Sequence, residues 1–191
     1  LATTGLDTID YFIGDAHMPC PGTESSFSEK IYRLGRVPCC YRPLPDLAVS
    51  DSPYFQNGHI TFGCLNNPRK ITRDVAQLWS VILHMLPDAR LFLKYDRLER
   101  GIVQSRLRDW FSGYGIGEDR LRFEGSSQPR EYFATWNQVD IALDPFPYNG
   151  GTTTMDALWM GVPVVTMPGR LAVACGGDSL LSAVGLPGAQ T

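Results

Sequence analysis

The chain has 191 residues, of which 43% are hydrophobic and 19% are charged, a composition that predicts a globular fold with a buried core and excludes a disordered segment. The formal net charge is −3 and the chain has no basic run, which argues against a nucleic-acid-binding surface. No stretch approaches the apolar length that a membrane span needs.

The N-terminal part of the chain, up to residue 55, has no regular rhythm. Residues 8–13 have the β-branched and aromatic character of a strand, and residues 24–34 are predicted to form a short helix. A proline-rich stretch without periodicity follows, which is typical of a connector. We predict that residues 1–45 are the tail of a preceding lobe and that residues 46–55 connect it to the next one.

From residue 59 onward, short apolar runs alternate with amphipathic stretches. The predicted strands cover residues 59–64, 89–95, 120–124, 139–143 and 162–166. The predicted helices cover residues 72–86, 102–114, 129–136, 152–160 and 171–184, the first with Thr72 as its N-cap. Because helical crossovers join parallel strands, this alternation predicts a Rossmann-like, doubly wound parallel sheet of the α/β class over residues 56–191, truncated at its C-terminal end.

A glycine–threonine loop after the fourth of these strands is the strongest local signal of a site. The strand ends at Asp144. The loop and the next helix then supply Asn149, Gly150, Gly151, Thr152, Thr153, Thr154 and Asp156. Free amides at a helix start, with hydroxyl groups beside them, form an anion site suited to a diphosphate, and Asp156 could accept hydrogen bonds from a ribose. An ordinary turn capped by threonines fits the same residues, and local physics does not decide between the two.

The loop after the first of the five strands carries Asn66, Asn67, Arg69 and Lys70. Ligands of doubly wound sheets bind beyond the carboxyl ends of the strands, so we expect this loop and the glycine–threonine loop at one rim. Lys70 and Arg69 could neutralise charge on a diphosphate, and Asn66 or Asn67 could bind a phosphate or a sugar. A surface lysine before a helix is also common without any function.

A third loop, residues 125–131, follows the third strand and contains Arg130. Its backbone could lie at the edge of a nucleobase, and Arg130 could contact ribose or phosphate. On spacing alone, an ordinary strand-to-helix turn that opens with proline fits better.

These loops resemble the catalytic region of the O-GlcNAc transferase and SPINDLY family of protein O-glycosyltransferases. The segments that carry the resemblance are residues 9–15, 28–34, 62–71, 139–144, 149–156 and 157–169. The order and spacing of the last two, Asn-Gly-Gly-Thr-Thr-Thr-Met-Asp and Ala-Leu-Trp-Met-Gly-Val-Pro-Val-Val-Thr-Met-Pro-Gly, are specific. The resemblance favours a diphosphate site in the glycine–threonine loop over a simple capped turn.

The resemblance implies a GT-B glycosyltransferase with two Rossmann-like lobes, of which this chain would be the C-terminal, donor-binding lobe. The enzyme would be inverting, would need no metal or other cofactor, and would transfer GlcNAc from UDP-GlcNAc or fucose from GDP-fucose to Ser or Thr of proteins. An N-terminal lobe and tetratricopeptide repeats would precede it. With one face of the cleft missing, we expect residues 1–191 alone to be inactive.

The resemblance also assigns roles to single residues. Lys70 would stabilise the departing diphosphate, which Thr152 and Thr153 would bind, and Asp156 would hold the ribose. The other donor-binding residues would be Asn67, Arg130, Asn149, Gly150, Gly151 and Thr154. No residue can be named as the general base.

Three departures from the pattern leave the donor open. Gly151 stands where transferases that use UDP-GlcNAc have a histidine before the paired threonines, and Asn67 stands where they have a glutamine. The first departure is closer to the SPINDLY branch, which uses GDP-fucose. Tyr132 or Phe133 replaces the histidine expected to stack on uracil.

Two other functions fit the same features. The chain could belong to a GT-B relative that acts on small molecules or glycans, which a parent chain without helical repeats would favour. It could also be a non-catalytic module that binds sugar nucleotides, which tight binding without sugar transfer would indicate.

The cysteines and histidines predict no metal or redox centre. The five cysteines are odd in number and contain no Cys-x-x-Cys pair, and only three histidines are present. We expect reduced, mostly buried thiols in a cytoplasmic protein.

Overall fold

The computed structural model describes residues 3–44 and 46–186, and its N-terminal part contains a small parallel sheet. Strand β1 (Tyr11–Gly14) pairs with β2 (Lys30–Arg33), with Tyr11 opposite Lys30. The amide of Lys30 donates to the Asp10 carbonyl at 2.9 Å at one end of this pair. The strand predicted over residues 8–13 is thus confirmed in its second half.

The helix predicted over residues 24–34 is wrong. Glu24–Ser26 form one 3₁₀ turn, and the chain then enters β2. Glu29, between the two, turns its buried carboxylate toward Thr3 and Thr4, which donate to it at 2.7 and 2.6 Å. Pairing with β1 and these contacts outweigh the local helical tendency of the segment.

The proline-rich connector lies along the lobe that follows it. The amide of Ser50 donates to Asn137 Oδ1 at 3.1 Å, and Asn137 Nδ2 donates to the Ala48 carbonyl at 2.9 Å. A one-turn helix, α1 (Tyr54–Asn57), ends the connector. The domain boundaries at residues 45 and 55 stay a prediction.

The rest of the described chain alternates strands with helices, as predicted. The elements are β3 (Thr61–Cys64), α2 (Arg73–Met85), β4 (Arg90–Lys94), α3 (Ile102–Gly113), β5 (Leu121–Glu124), α4 (Pro129–Thr135), β6 (Ile141–Leu143), α5 (Thr152–Trp159), β7 (Val164–Val165) and α6 (Gly176–Ala183). The five strands form one parallel sheet in the order β5-β4-β3-β6-β7. None of the described helices is long and apolar enough to cross a membrane.

Helices cover both faces of this sheet. Leu91 and Leu93 of β4 belong to a core shared with α2 and α3, whereas Phe92 between them belongs to a core shared with α4, α5 and α6. The predicted N-cap of α2 is confirmed, since the Thr72 hydroxyl accepts from the Val75 amide at 3.3 Å. The chain has the doubly wound, Rossmann-like α/β fold that its pattern predicts.

The strand order reverses between β3 and β6. Within this sheet, β4 and β5 follow β3 on one side. The chain then returns and places β6 on the other side of β3. The loops that leave β3 and β6 therefore separate at a crevice, which is where doubly wound sheets bind ligands. These two loops carry Lys70 and the glycine–threonine motif.

The helix predicted over residues 171–184 is interrupted. Ala172–Ala174 form a 3₁₀ turn, and α6 begins only at Gly176. At the break the amide of Asn149 donates to the Val173 carbonyl at 3.0 Å. This contact from a distant loop holds the turn. No local sequence pattern predicts the contact.

The prediction of reduced cysteines is wrong for Cys20 and Cys175, whereas three of the five cysteines are buried, as predicted. Cys20 and Cys175 form a disulfide with a Cα–Cα distance of 5.8 Å, and Cys39 and Cys40 are exposed. Only Cys64 is both free and buried. The disulfide forms because the segment after β1 packs against the turn that precedes α6.

Candidate functional site

A cleft of about 500 Å³ lies where the loops after β3 and β6 separate. The starts of α5 and α6, the turn before α6 and the segments after β1, β2 and β4 also contribute to its wall. Seven of the ten predicted donor-binding residues line it, namely Asn67, Lys70, Asn149, Gly150, Gly151, Thr152 and Thr153. The expectation that the two loops share one rim is confirmed by this arrangement.

The Lys70 ammonium is held against the loop that follows β6. Its Nζ donates to the Asn149 carbonyl at 2.8 Å and lies 4.2 Å from the centre of the Tyr148 ring. Asn66 Oδ1 lies 3.4 Å from the same nitrogen. Partial burial lowers the pKa of Lys70, and the negative charge of Asp144 opposes that shift. The loop therefore presents one fixed cation to the cleft.

Asn67 and Arg69 occupy different positions in the loop after β3. Asn67 starts the 3₁₀ turn Pro68–Lys70, and its Oδ1 accepts from the Arg69 amide at 3.0 Å. Arg69 is exposed and does not line the cleft. Of the two cations proposed to neutralise a diphosphate, the structure brings only Lys70 to the site.

Helix α5 directs its N-terminus at the cleft. The first amides of an α-helix have no acceptor inside the helix, and no side chain caps them here. Thr152 and Thr153 add two hydroxyl groups at the same place. Unpaired amides, the helix dipole and a nearby ammonium together favour an anion with several oxygen atoms.

Close packing explains the first glycine of the doublet. The Gly150 amide donates to Asp144 Oδ1 at 2.6 Å. A Cβ at Gly150 would overlap Thr154 Oγ1 and lie 2.9 Å from Asp144 Oδ1. A Cβ at Gly151 would meet no described atom within 4 Å. Only Gly150 is required by its protein neighbours, whereas Gly151 borders open space in the cleft.

Asp144 is a buried carboxylate directly beneath this loop. It is 5% exposed and accepts from the Gly150 amide and from Thr166 Oγ1, the latter at 2.8 Å. Burial raises its pKa to about 6, although both hydrogen bonds and the charge of Lys70 act in the opposite direction. Among the described residues, no group of three His, Cys, Asp or Glu side chains could hold a metal ion.

Three of the predicted donor-binding residues do not line the cleft. Thr154 is buried below Gly150, and exposed Arg130 places Nη1 3.4 Å from the Asp46 carbonyl of the connector. Asp156 is 5% exposed, and its two oxygens accept from the hydroxyls of Tyr41 and Tyr132 at 2.6 and 2.7 Å. The ribose role of Asp156 stays a prediction that needs a ribose hydroxyl to replace one of these tyrosines.

The two aromatic residues considered for stacking on a base have other contacts. Tyr132 lies edge-on to Phe133, with ring centres 5.3 Å apart, and its hydroxyl is bound by Asp156. Phe133 is buried in the core shared by α4, α5 and α6. Neither ring lines the cleft in this structure.

Sequence reasoning missed the wall formed by α6 and by the N-terminal segment. The residues concerned are Met18, Val37, Pro38, Cys39, Gly176, Ser179 and Leu180. His17 Nδ1 and Asp178 Oδ2 are 2.9 Å apart and help to hold the N-terminal segment against α6. The carboxyl ends of parallel strands share one rim, so the segment after β7 could have been predicted to line the cleft. No local sequence pattern predicts that the N-terminal segment lines it as well.

Known proteins resemble the chain over nearly its whole length. The sequence profile of Glycosyl transferase family 41 matches residues 49–189. The "Probable UDP-N-acetylglucosamine–peptide N-acetylglucosaminyltransferase SPINDLY" of Petunia hybrida is 39% identical over 186 residues, which cover 96% of this chain and 20% of that protein. The protein of the same name from Arabidopsis thaliana is 37% identical over the same shares. The chain spans about a fifth of the length of these curated relatives.

A solved structure shares the fold. A variant of the O-GlcNAc transferase of Thermobaculum terrenum superposes with a TM-score of 0.92 at 37% sequence identity. The match covers 100% of this chain and 36% of the other.

Proposed function

The chain belongs to glycosyl transferase family 41, and from that premise we propose that it is the donor-binding lobe of an enzyme that transfers a sugar from a nucleotide sugar to Ser or Thr of proteins. The observation that carries the proposal is the placement of the Lys70 ammonium beside the unpaired amides of α5. Both face a cleft of about 500 Å³, large enough for a nucleotide.

In the proposed reaction, an acceptor hydroxyl loses its proton to a general base, attacks the anomeric carbon opposite the departing diphosphate and inverts its configuration. Negative charge grows on the leaving phosphate oxygens as the bond to the sugar breaks. Lys70 would release the Asn149 carbonyl and bind these oxygens, while the amides and hydroxyls of Thr152 and Thr153 bind the other phosphate. Donors placed where charge develops stabilise the transition state more than the ground state.

The proposal assigns the diphosphate charge to protein groups and includes no metal or other cofactor. We retain the predicted division into the tail of the N-terminal lobe (residues 1–45), a connector (46–55) and the donor-binding lobe (56–191). In the full enzyme, an N-terminal lobe and tetratricopeptide repeats would precede the donor-binding lobe. We place the enzyme in the cytoplasm on the family resemblance, and the disulfide between Cys20 and Cys175 is the observation that weighs against this. UDP-GlcNAc and GDP-fucose are the two candidate donors.

Calorimetric titration of the chain with UDP, GDP, UDP-GlcNAc and GDP-fucose tests the proposal. We expect saturable binding of one base series, unchanged when a chelator is present. No binding by any of the four would overturn the proposed function. Tight binding without transfer to proteins by the full-length enzyme would instead support a non-catalytic module.

The ribose role of Asp156 has a separate test. If Asp156 accepts from a ribose hydroxyl, the chain should bind the preferred nucleoside diphosphate about tenfold more tightly than its 2′-deoxy analogue, as expected for one hydrogen bond to a charged group. Asp156→Ala should remove this preference. Tyr41→Phe and Tyr132→Phe, which keep the carboxylate, should retain it. Equal binding of both nucleotides by the unchanged chain would contradict the role.

A further inference from the structure

One peptide group in the cleft wall lies between two opposite charges. The carbonyl of the peptide between Asn149 and Gly150 accepts from Lys70 Nζ at 2.8 Å. The amide of the same peptide donates to Asp144 Oδ1 at 2.6 Å. A peptide carries partial negative charge on its oxygen and partial positive charge on its hydrogen, so this orientation is favourable at both ends. Lys70 and Asp144 are therefore linked through a single rigid group.

Packing closes the space around Asp144. A Cβ at Gly177 of α6 would lie 2.9 Å from Asp144 Oδ2, and a Cβ at Gly150 would lie 2.9 Å from Oδ1. Thr166, which donates to Oδ2, is itself 1% exposed. The carboxylate is thus excluded from water. An ionised acid is unfavourable in such a buried environment.

The hydrogen bonds of Asp144 do not require an acid. An asparagine could accept from the Gly150 amide with its oxygen and donate to Thr166 Oγ1 with its amide group, because a hydroxyl both donates and accepts. What asparagine lacks is the negative charge. Among the charged groups of the described chain, Lys70 is the one whose charge acts on Asp144. The packing and hydrogen bonds at this position therefore do not require a negative charge. The positive charge of Lys70 is the feature that a negative charge on Asp144 complements.

We propose that Asp144 is a positioning residue of the diphosphate site. There it serves as the counter-charge of Lys70 and fixes the Asn149–Gly150 peptide just before the N-terminus of α5. The inference rests on the proposed function of the cleft. When a diphosphate draws Lys70 away from the Asn149 carbonyl, Asp144 still holds the Gly150 amide. The loop then keeps its shape, and the amides that follow Gly150 stay directed at the ligand.

Other titratable groups near the pair are few. The Cys64 thiol of β3 also acts on Lys70, but burial raises its pKa to about 12 and keeps it neutral over the useful range. The cleft-lining residues of α5 and α6 carry no charge. Within the part of the chain that the structure describes, the other titratable groups around the cleft include Asp15, His17, Cys39, Tyr95, Tyr148 and Asp178.

The first measurement follows the titration of Lys70 by NMR after reductive methylation with isotope-labelled formaldehyde. The chain has only three lysines, Lys30, Lys70 and Lys94, and Lys70→Arg assigns the signal of interest. In Asp144→Asn we expect Lys70 to titrate at a lower pH than in the unchanged chain. Asp140→Asn is the matched control, because Asp140 accepts from the Thr61 amide at 2.8 Å at the opposite end of β6.

The second measurement is the affinity for UDP-GlcNAc and GDP-fucose between pH 6 and 9. Both phosphates of these donors are esterified, so the diphosphate does not titrate in this range, and the titration of the base that begins near pH 9 is the same for every variant. As the pH rises, we expect the affinity of Asp144→Asn to begin to fall at a lower pH than that of the unchanged chain, because its Lys70 loses its proton earlier. Asp140→Asn should follow the unchanged chain.

The third measurement separates this role from a structural one. The raised pKa of Asp144 means that its ionisation destabilises the fold, by an amount that grows as the pH rises from its ordinary value through about 6. The asparagine side chain of the Asp144→Asn variant does not ionise, so the Tm of this variant minus that of the unchanged chain should rise between pH 4 and 7. A purely structural carboxylate predicts the opposite trend.

The outcomes distinguish the two proposals. Unchanged Lys70 titration in Asp144→Asn, with intact nucleotide binding, overturns the role of Asp144 alone. Absence of binding by every donor overturns the proposed function and this role with it. If Asp144→Asn does not fold, Thr166→Val replaces it. Loss of the hydroxyl raises the pKa of Asp144, so the inflection that Asp144 ionisation produces in the Lys70 methyl shift should move to a higher pH, and a Lys70 signal without that inflection overturns the role.

Discussion

Replacing Lys70 with methionine should weaken nucleoside diphosphate binding by about 10- to 100-fold and lower sugar transfer by the full-length enzyme by about 100- to 1,000-fold. Methionine fills similar space but has no ammonium to bind phosphate oxygens. The loss in transfer exceeds the loss in binding because negative charge on the leaving diphosphate increases in the transition state. Calorimetry of the chain and kinetics of the full-length enzyme measure the two effects.

The same variant should not lose stability at neutral pH. Burial lowers the pKa of Lys70, so the charged form is less favourable in the folded state than in water. A lysine whose pKa falls on folding destabilises the fold at every pH where it stays protonated in the unfolded chain. Lys70→Met removes that cost, and its Tm at pH 7 should equal or exceed that of the unchanged chain.

Arg69→Met is the matched control for Lys70→Met. Arg69 is the neighbouring cation, but it is exposed and lies outside the cleft. Its loss should change nucleotide affinity by less than about twofold, the scale of an exposed and screened charge. Equal losses in both variants would mean that the general charge of the loop attracts the nucleotide and that the fixed ammonium has no special role.

The features that sequence reasoning predicted correctly depend on local patterns and on one rule of topology. The apolar stripe of α2 and its Thr72 cap are contained in a single stretch of chain. The meeting of Lys70 with the loop that contains Asn149 follows from parallel strands, whose carboxyl ends share one edge. Neither inference needs to know which distant residue touches which.

The features that it missed depend on partners far apart in the chain. β2 forms because β1 is beside it, and the turn before α6 is held by Asn149. Tyr41 reaches Asp156 across 115 residues of sequence. Such contacts leave no periodic signal, so a residue such as Asp156 can be recognised as part of a motif while its actual hydrogen-bond partners remain unpredicted.

The role of the glycine doublet leads to the second large effect. Gly150→Ala should destabilise the fold by about 1–3 kcal/mol, because the new methyl group overlaps Thr154 Oγ1 and crowds Asp144 in a closed space. Relief of the overlap requires the loop to shift, which moves the Asn149 carbonyl away from Lys70. We expect nucleotide affinity to fall at least tenfold, measured by calorimetry at a temperature where the variant is folded.

Gly151→Ala separates packing of the loop from contact with the ligand. Its methyl group would enter open space and its φ is −128°, outside the left-handed region, so stability should change by less than about 0.5 kcal/mol. If a diphosphate lies against the start of α5, the same methyl group should still weaken binding, because it occupies space beside the amides. If Gly151→Ala lowers the affinity without changing the Tm, and Gly150→Ala lowers both, the ligand lies against Gly151. Normal affinity in both variants would show that nucleotides bind elsewhere.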